Sequence, residues 1–468
     1  MKWPYFLITF MSVNRDIFRI KQTGQDIIET HASEDRVAIV LSAIQGVTDQ
    51  LHEVTAQALK DEAVIDPFIR KLTERHHAVA AEIILDETIR TDTLDLLRAK
   101  ISRLEKCLYG VAYTEELTPR MNDYIISCGE RFSACILAGH LRTRGLRSNA
   151  YDGDELGILT DGKYGAATPV MDQVEKNLKE KLVPELEAGA VPVITGYFGC
   201  AADGSVTTFG RGGSDYSAAI IAYALEADRL EVWKDVPGFM SADPKTVPAA
   251  KNVSRLSYNE AAELAYFGAK ILHPRIVEPA VLRDIPILVK NLYDPQAPGS
   301  LISDKDVSKE WVIQSVASKR DVALVSLYGP AMANTSGLAS QVFDRLGEED
   351  INVYTMAASM ASFSLVIDAS QADRAVAILE KLRDGIIHRI ETMTDVSLIC
   401  LVGEALRETP GIAGRTFNSV YDAGVNVEVM SDGGSDIALP FVIKTADEQK
   451  ALEALHRTFI ESRENDSV

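Results

Sequence analysis

The run Thr207-Thr-Phe-Gly-Arg-Gly-Gly-Ser-Asp-Tyr-Ser217, set directly before the apolar, alanine-rich stretch Ala218–Ala227, constrains this chain more than any other feature. Glycines 210, 212 and 213 can take backbone angles closed to other residues and let the chain approach an anion closely. A helix starting there offers unpaired N–H groups and the positive end of its dipole. Arg211 adds a planar fork suited to carboxylate or phosphate, and Asp215 places an acid where the metal of a nucleotide or an active-site lysine could sit. Glycine often serves strand-to-helix turns for steric reasons alone, so the flanks decide. Upstream lies Val191-Pro-Val-Ile-Thr-Gly-Tyr-Phe-Gly199, an apolar strand ending in glycines. Downstream, Glu231-Val-Trp-Lys-Asp-Val-Pro-Gly-Phe-Met-Ser-Ala-Asp-Pro244 reads as a strand running into a turn. Strand, loop, helix, strand is the order of a parallel sheet whose ligand lies beyond the carboxyl ends of its strands.

Other segments extend that α/β pattern. Val37–Ser42, Leu230–Trp233 and Ile285–Val289 are short and β-rich, as strands buried on both faces require. Ala78–Gly110 and Asp172–Leu182 carry apolar residues at helical spacing. The apolar stretch Trp3–Val13 is too short to span a bilayer and lacks a small-residue cleavage site, so it reads as a buried first strand. After Pro298-Gly299 an internal repeat begins: Asp321-Val-Ala-Leu-Val-Ser-Leu-Tyr-Gly329 matches Asp395-Val-Ser-Leu-Ile-Cys-Leu-Val-Gly403, and Gly337, Phe343, Asn352 and Val353 recur 74 positions later.

The 468 residues suffice for about two to four domains. A net charge of −20 argues against a nucleic-acid surface and against docking on anionic lipid, while leaving room for a local basic pocket. The five cysteines show no metal-ligand spacing, and a reducing cytoplasm is the simplest setting. No cluster suggests a resident metal site.

Two earlier motifs, Leu41-Ser-Ala-Ile-Gln-Gly-Val-Thr-Asp-Gln-Leu51 and Ser127-Cys-Gly-Glu-Arg-Phe-Ser133, join the glycine-rich run, Leu256-Ser-Tyr258, Phe267-Gly-Ala-Lys-Ile-Leu-His-Pro274 and Ile285-Pro-Ile-Leu-Val-Lys-Asn291. In this order they resemble the aspartate kinases of the amino-acid-kinase superfamily, from about residue 18 to the C-terminus. The resemblance implies a three-layer αβα sandwich with a mainly parallel sheet over residues 1–305. Two βαββαβ ACT-like domains would follow at 320–394 and 395–463, with a strand at 311–317 supplied to the second copy and Ile387–Met393 closing the first. It also implies phosphoryl transfer from MgATP to the β-carboxylate of L-aspartate, giving 4-phospho-L-aspartate for lysine, threonine and methionine synthesis, in a homo-oligomer joined through the ACT domains. Arg211 would clamp the substrate carboxylate, Glu130 would face its ammonium, and Thr48 and Ser214 would complete that site. Ser42, Gly46, Gly212 and Gly213 would lie near the phosphates. Asp215 would organise lysines or the magnesium shell, Lys270 would reach the ATP phosphates, and Asp235, Met240 and Lys245 would lie on the nucleotide side. His273 reads as structural.

The chain departs from the family pattern in places. Lys234, Met240 and Lys245 stand where Thr, Tyr and Arg are usual. The family's opening Lys-Phe-Gly-Gly-Thr-Ser is replaced by Leu7-Ile-Thr-Phe-Met-Ser12, without lysine or glycine. Three readings stay open: a misplaced or frameshifted start, a substitute cation such as Lys2 or Lys21, or a catalytically weakened homologue acting as a regulatory subunit. The effector loop of the second ACT copy, Asp432-Gly-Gly-Ser435-Asp-Ile-Ala438-Leu-Pro440, has Ala438 in place of Asn and a proline unable to donate an N–H. The first copy is two residues shorter at Ala357–Ser362. Feedback by lysine or threonine is expected to be weak or altered.

Overall fold

A computed structural model describes residues 5–10, 25–269, 271–304, 312–330, 337–382, 387–406, 408–431 and 434–464. The chain divides into two compact units, Met1–Gly238 with Ile271–Asp304, and Phe239–Lys270 with Lys305–Val468.

In the first unit the strands lie side by side in the order Ala150–Tyr151, Val193–Thr195, Arg36–Leu41, Tyr5–Phe10, Arg229–Lys234, Ile287–Asn291, Ser300–Ile302. All pairings are parallel except the last. Val37–Leu41 and Leu230–Lys234 are buried residue after residue, so their continuous apolar runs are those of strands covered on both faces. Phe10 lies opposite both Leu41 and Trp233, so three central strands end at one level.

The helices Val47–Ala58, Ile65–Ile83, Glu87–Thr114 and Cys128–Thr143 bury Leu51, Val54, Leu72, Leu104, Leu108 and Phe132 in a shared core with Ile39 and Leu41. The periodic stretch Ala78–Gly110 is not one helix. The first ends at Ile83, and the second starts after Asp86, whose side chain accepts the Ile89 N–H as an N-cap. The connection from Thr195 to the glycine-rich run also holds more than a loop. Phe198–Cys200 and Val206–Thr208 form a two-stranded hairpin around Asp203, whose carboxylate accepts the Ser205 N–H.

In the second unit six strands form an antiparallel sheet in the order Val353–Ala358, Ser362–Asp368, Ser315–Tyr328, Arg389–Val402, Ala438–Lys444, Val427–Met430. The two long central strands are shared: Ser315–Lys319 pairs with Leu398–Val402, and Leu324–Tyr328 pairs with Arg389–Met393. The 74-residue repeat reappears as the helices Leu338–Glu348 and Ile412–Asp422, each entered through a left-handed glycine, Gly337 at φ 83° and Gly411 at φ 85°. These helices, with Ala372–Leu379 and Glu448–Phe459, cover one sheet face through Ala323, Val325, Leu327 and Ile399, Leu401, Phe441. The opposite face, with Leu324, Ser326, Ser364 and Met393, borders an open cavity of about 670 Å³.

Phe239–Lys270 packs within this second unit. Ser241 and His456 are both buried, with Ser241 Oγ 2.9 Å from His456 Nε2, and His456 Nδ1 is 2.8 Å from Glu461 Oε1. The short helix Tyr258–Tyr266 starts with a capping box between Ser257 and Glu260. Among the described residues no helix is long and apolar enough to cross a membrane.

Candidate active site

The strand ends of the first unit carry the candidate residues. The Gly213–Leu225 helix begins there, with Gly212 as its N-cap at φ 71°. Only glycine fits this cap: a Cβ on Gly212 would lie 2.3 Å from His273 Cβ, besides being strained at that φ. The backbone of Gly196, whose N–H bonds to the Leu41 carbonyl, runs so close to Ser214 that a side chain there would meet Ser214 Cβ at 2.8 Å. Tyr197 follows at φ 78°, a strained angle for a bulky residue. Its N–H donates to Ser217 Oγ at 2.9 Å, and Ser217 Oγ donates to the Gly213 carbonyl at 2.8 Å.

Asp215, in the first turn of this helix, is 1% exposed at its side chain and receives Lys234 Nζ at 3.1 Å on Oδ2. Its Oδ1 has no hydrogen-bond partner among the described residues. His273, on the wall behind Gly212, is shifted towards its neutral form by burial, with the charges of Arg275, Arg211 and Lys234 acting the same way and Asp215 opposing them. Arg211 is exposed, as is Asp235 just beyond the strand end.

A second carboxyl group faces the Ser42–Gly46 loop. Glu130, in the first turn of the Cys128–Thr143 helix, is 3% exposed, accepts the Ala43 N–H, and leaves Oε2 without a partner among the described residues. Burial lifts its carboxyl from 4.5 to about 8, against the pull of those backbone N–H groups and of Arg131. Ser133 Oγ, one turn on, donates to the Ser42 carbonyl at 2.8 Å. Gly46 caps the next helix at φ 78°, and Thr48 is half-buried in that helix's first turn. Arg131 anchors the Glu130 helix through Asp152 at 2.5 Å and Asp154 at 2.9 Å, its guanidinium 4.4 Å from the Phe198 ring centroid.

Ser42, Gly46, Thr48, Glu130, Arg211, Gly212, Gly213, Ser214, Asp215 and Asp235 thus all belong to the first unit. Met240 and Lys245 belong to the second. There the Met240 carbonyl accepts Ser315 Oγ at 2.8 Å, and the Lys245 N–H donates to Asp243 at 2.9 Å. Lys270 lies outside the described residues, as do Lys2, Lys21, Asp432 and Gly433. Ser435 Oγ donates to Glu263 at 2.8 Å, and Ala438 opens the strand that pairs with Val402.

Sequence reasoning singled out Lys234 only as a departure and gave it no role; its signal was a lysine closing an apolar strand. Asp123 was missed. Its Oδ2 accepts the N–H groups of Gly165 and Thr208, tying the hairpin to the Pro119–Ile126 helix.

The arrangement sets cations and the N–H groups of a helix start where parallel strands end, which suits a phosphoryl-transfer enzyme acting on small anions. Comparison with known proteins agrees: residues 10–291 match the amino acid kinase family, and residues 325–382 and 399–459 match the ACT domain. The chain is 33% identical to aspartokinase 1, chloroplastic, of Arabidopsis thaliana over 95% of its own length and 78% of that protein. It is 28% identical to the aspartokinase of Saccharomyces cerevisiae over 95% of itself and 91% of the relative. Its fold matches E. coli aspartokinase III in complex with aspartate and ADP with a TM-score of 0.82 at 27% identity, covering 97% of this chain and 99% of that one. The chain belongs to the aspartokinases, within the amino acid kinase family.

Proposed function

We propose that this aspartate kinase transfers the γ-phosphoryl group of MgATP to the β-carboxylate of L-aspartate, giving 4-phospho-L-aspartate for lysine, threonine and methionine synthesis. The observation that carries this reading is the pair of buried carboxyl groups, each with an oxygen unpartnered among the described residues, Asp215 beside the glycine-rich helix start and Glu130 beside the Ser42–Gly46 loop. A carboxylate acceptor is already a nucleophile, so catalysis reduces to alignment and charge compensation. Arg211 clamps the substrate carboxylate, ionised Glu130 takes the ammonium of aspartate, and Thr48 and Ser214 fix its orientation. The N–H groups at Gly212 and Gly213 receive phosphate oxygens, with Ser42 and Gly46 on the opposite loop. Lys270, Asp235, Met240 and Lys245 are assigned to the nucleotide by resemblance. Asp215, whose Oδ1 has no partner among the described residues, and the exposed Asp235 would offer hard oxygen donors to Mg²⁺ brought in with ATP, which would supply neutralisation of phosphate charge.

All five cysteines are free, which supports a reducing, cytoplasmic setting. Among the described residues the sheet of the second unit ends in two open edge strands, and Met356, Met360 and Met430 are exposed on or beside them; this supports a homo-oligomer formed through the ACT-like unit. Pro440 occupies a strand position opposite Cys400 and offers no N–H, which supports weakened or altered feedback.

The reading is tested by trapping acyl phosphate with hydroxylamine from the full chain, MgATP and L-aspartate, beside a glutamate control and an Asp215→Ala control. Aspartate-dependent product that disappears in the variant is expected. Absence of product from the folded wild-type chain overturns the assignment.

A further inference from the structure

Bringing a carboxylate up to the γ-phosphate of a nucleotide places two anions together, and a cation held at their meeting point lowers that barrier. The described cations near the helix start differ in kind. Arg211 is exposed. His273 is held towards neutrality by burial. Arg275 is half-buried, its guanidinium committed to the Phe209 and Ala167 carbonyls and to the Tyr216 ring face. Lys234 has its side chain nearly buried, at 11% exposure, with its ammonium fixed 3.1 Å from Asp215 Oδ2 at the level where the parallel strands end. That contact uses one of three ammonium donors, and Asp215 Oδ1 has no partner among the described residues. A buried ion pair adds little net stability compared with apolar packing, so stability alone does not account for it. The adjacent first strand carries no cation in Leu7-Ile-Thr-Phe-Met11, and its Phe10 lies opposite Trp233, the residue before Lys234.

We infer that Lys234 is a catalytic cation of this enzyme: Asp215 fixes its ammonium at the strand ends, and its remaining N–H donors meet the γ-phosphoryl group in transit. The inference rests on the aspartate kinase reading. In the step, an oxygen of the acceptor carboxylate forms its bond to the γ-phosphorus while the bond from that phosphorus to the β,γ-bridging oxygen of ATP breaks. The electron pair leaves with ADP, and Lys234 neither gains nor loses a proton. Because the bridging and equatorial oxygens gain negative character in the transition state, the contact strengthens there, and its loss falls on kcat more than on binding.

The test uses the full chain in the hydroxylamine assay, with KM for aspartate and ATP, ADP affinity by calorimetry and thermal melting measured in parallel. Lys234→Met is expected to lower kcat about 10²–10³-fold while ADP affinity changes by no more than about threefold. Lys234→Ala is expected to regain part of the lost rate when ethylammonium is added. Lys234→Met leaves Asp215 buried without its cation and risks the fold, so the doubly substituted Lys234→Met, Asp215→Asn chain, which buries no lone charge, is measured as well. It should melt like the wild type and be no more active than Asp215→Asn alone. The inference is overturned if either folded Met variant keeps kcat within about threefold of wild type. It is overturned equally if rate loss only follows loss of thermal stability and no amine restores it. A wild-type chain without aspartate-dependent product removes the kinase reading itself and Lys234's role with it, a result distinct from an active wild type with an active variant.

Discussion

Glu130 shows how one buried side chain sets the conditions of binding. Its carboxyl is raised to about 8 by burial, so folding takes up a proton there in the window between its ordinary 4.5 and about 8. The group's contribution to stability is therefore best below that window and is lost as pH rises through it. Replacing Glu130 with Gln should flatten the decline in melting temperature between about pH 5 and pH 8, a series of thermal melts being the check. An ammonium ligand favours the ionised form, so aspartate binding near pH 7 should release close to one proton per site. Calorimetry in buffers of different ionisation enthalpy should show this release in the wild type and not in Glu130→Gln. Gly212→Ala brings two penalties, a left-handed φ costing about 1–2 kcal/mol and a Cβ overlapping His273, and should lower both melting temperature and ADP affinity. At this scale much of the candidate site was readable. Glycine spacing marked the helix start, whereas Glu130 came from motif resemblance alone and nothing in its neighbours announced its burial. The Lys234–Asp215 contact was not readable, because the two residues are 19 positions apart and meet only when strand and helix are packed.

Elements were legible where periodicity was strong and illegible where short polar contacts decide. The apolar runs at Val37–Leu41 and Leu230–Trp233 announce strands covered on both faces, whereas the break between Ile83 and Glu87 depends on one aspartate cap inside an unbroken helical pattern. The hairpin at Phe198–Cys200 and Val206–Thr208 is set by Asp203 and by the distant Asp123, which accepts the Thr208 N–H at 2.7 Å; three-residue strands leave no alternation to read. The Glu448–Phe459 helix offers a test at this scale. Glu448, 2% exposed in its first turn, accepts bonds from Ser318, Arg320 and Ser397 at 2.8, 2.7 and 3.0 Å, so one carboxylate joins the helix to both long strands. Glu448→Ala leaves two buried-side hydroxyl donors and the helix start without it, and should cost about 1–3 kcal/mol by denaturant unfolding.

For the whole molecule, the open sheet edges and exposed methionines of the second unit make the oligomeric state measurable. Light scattering should give a multiple of the 51.1 kDa chain, and Met430→Lys should lower it without lowering the melting temperature of the first unit's ligand-bound form. The repeat was visible as a 74-residue offset, and so was the family, because motifs keep their order. Which strand pairs with which came from resemblance, since two strands of fourteen residues each serve both copies and no local pattern marks where one copy stops. That sharing has a consequence for how such a chain can change. A duplicated module joined end to end can be lost again by deleting one copy. Here the second copy is not one contiguous segment: deleting residues 395–463 strands Ser315–Lys319 without Leu398–Val402, whereas deleting residues 320–394 leaves that pair of strands in place. A shortening that drops the second copy cleanly must therefore cut the chain at two places, before the first copy as well as after it.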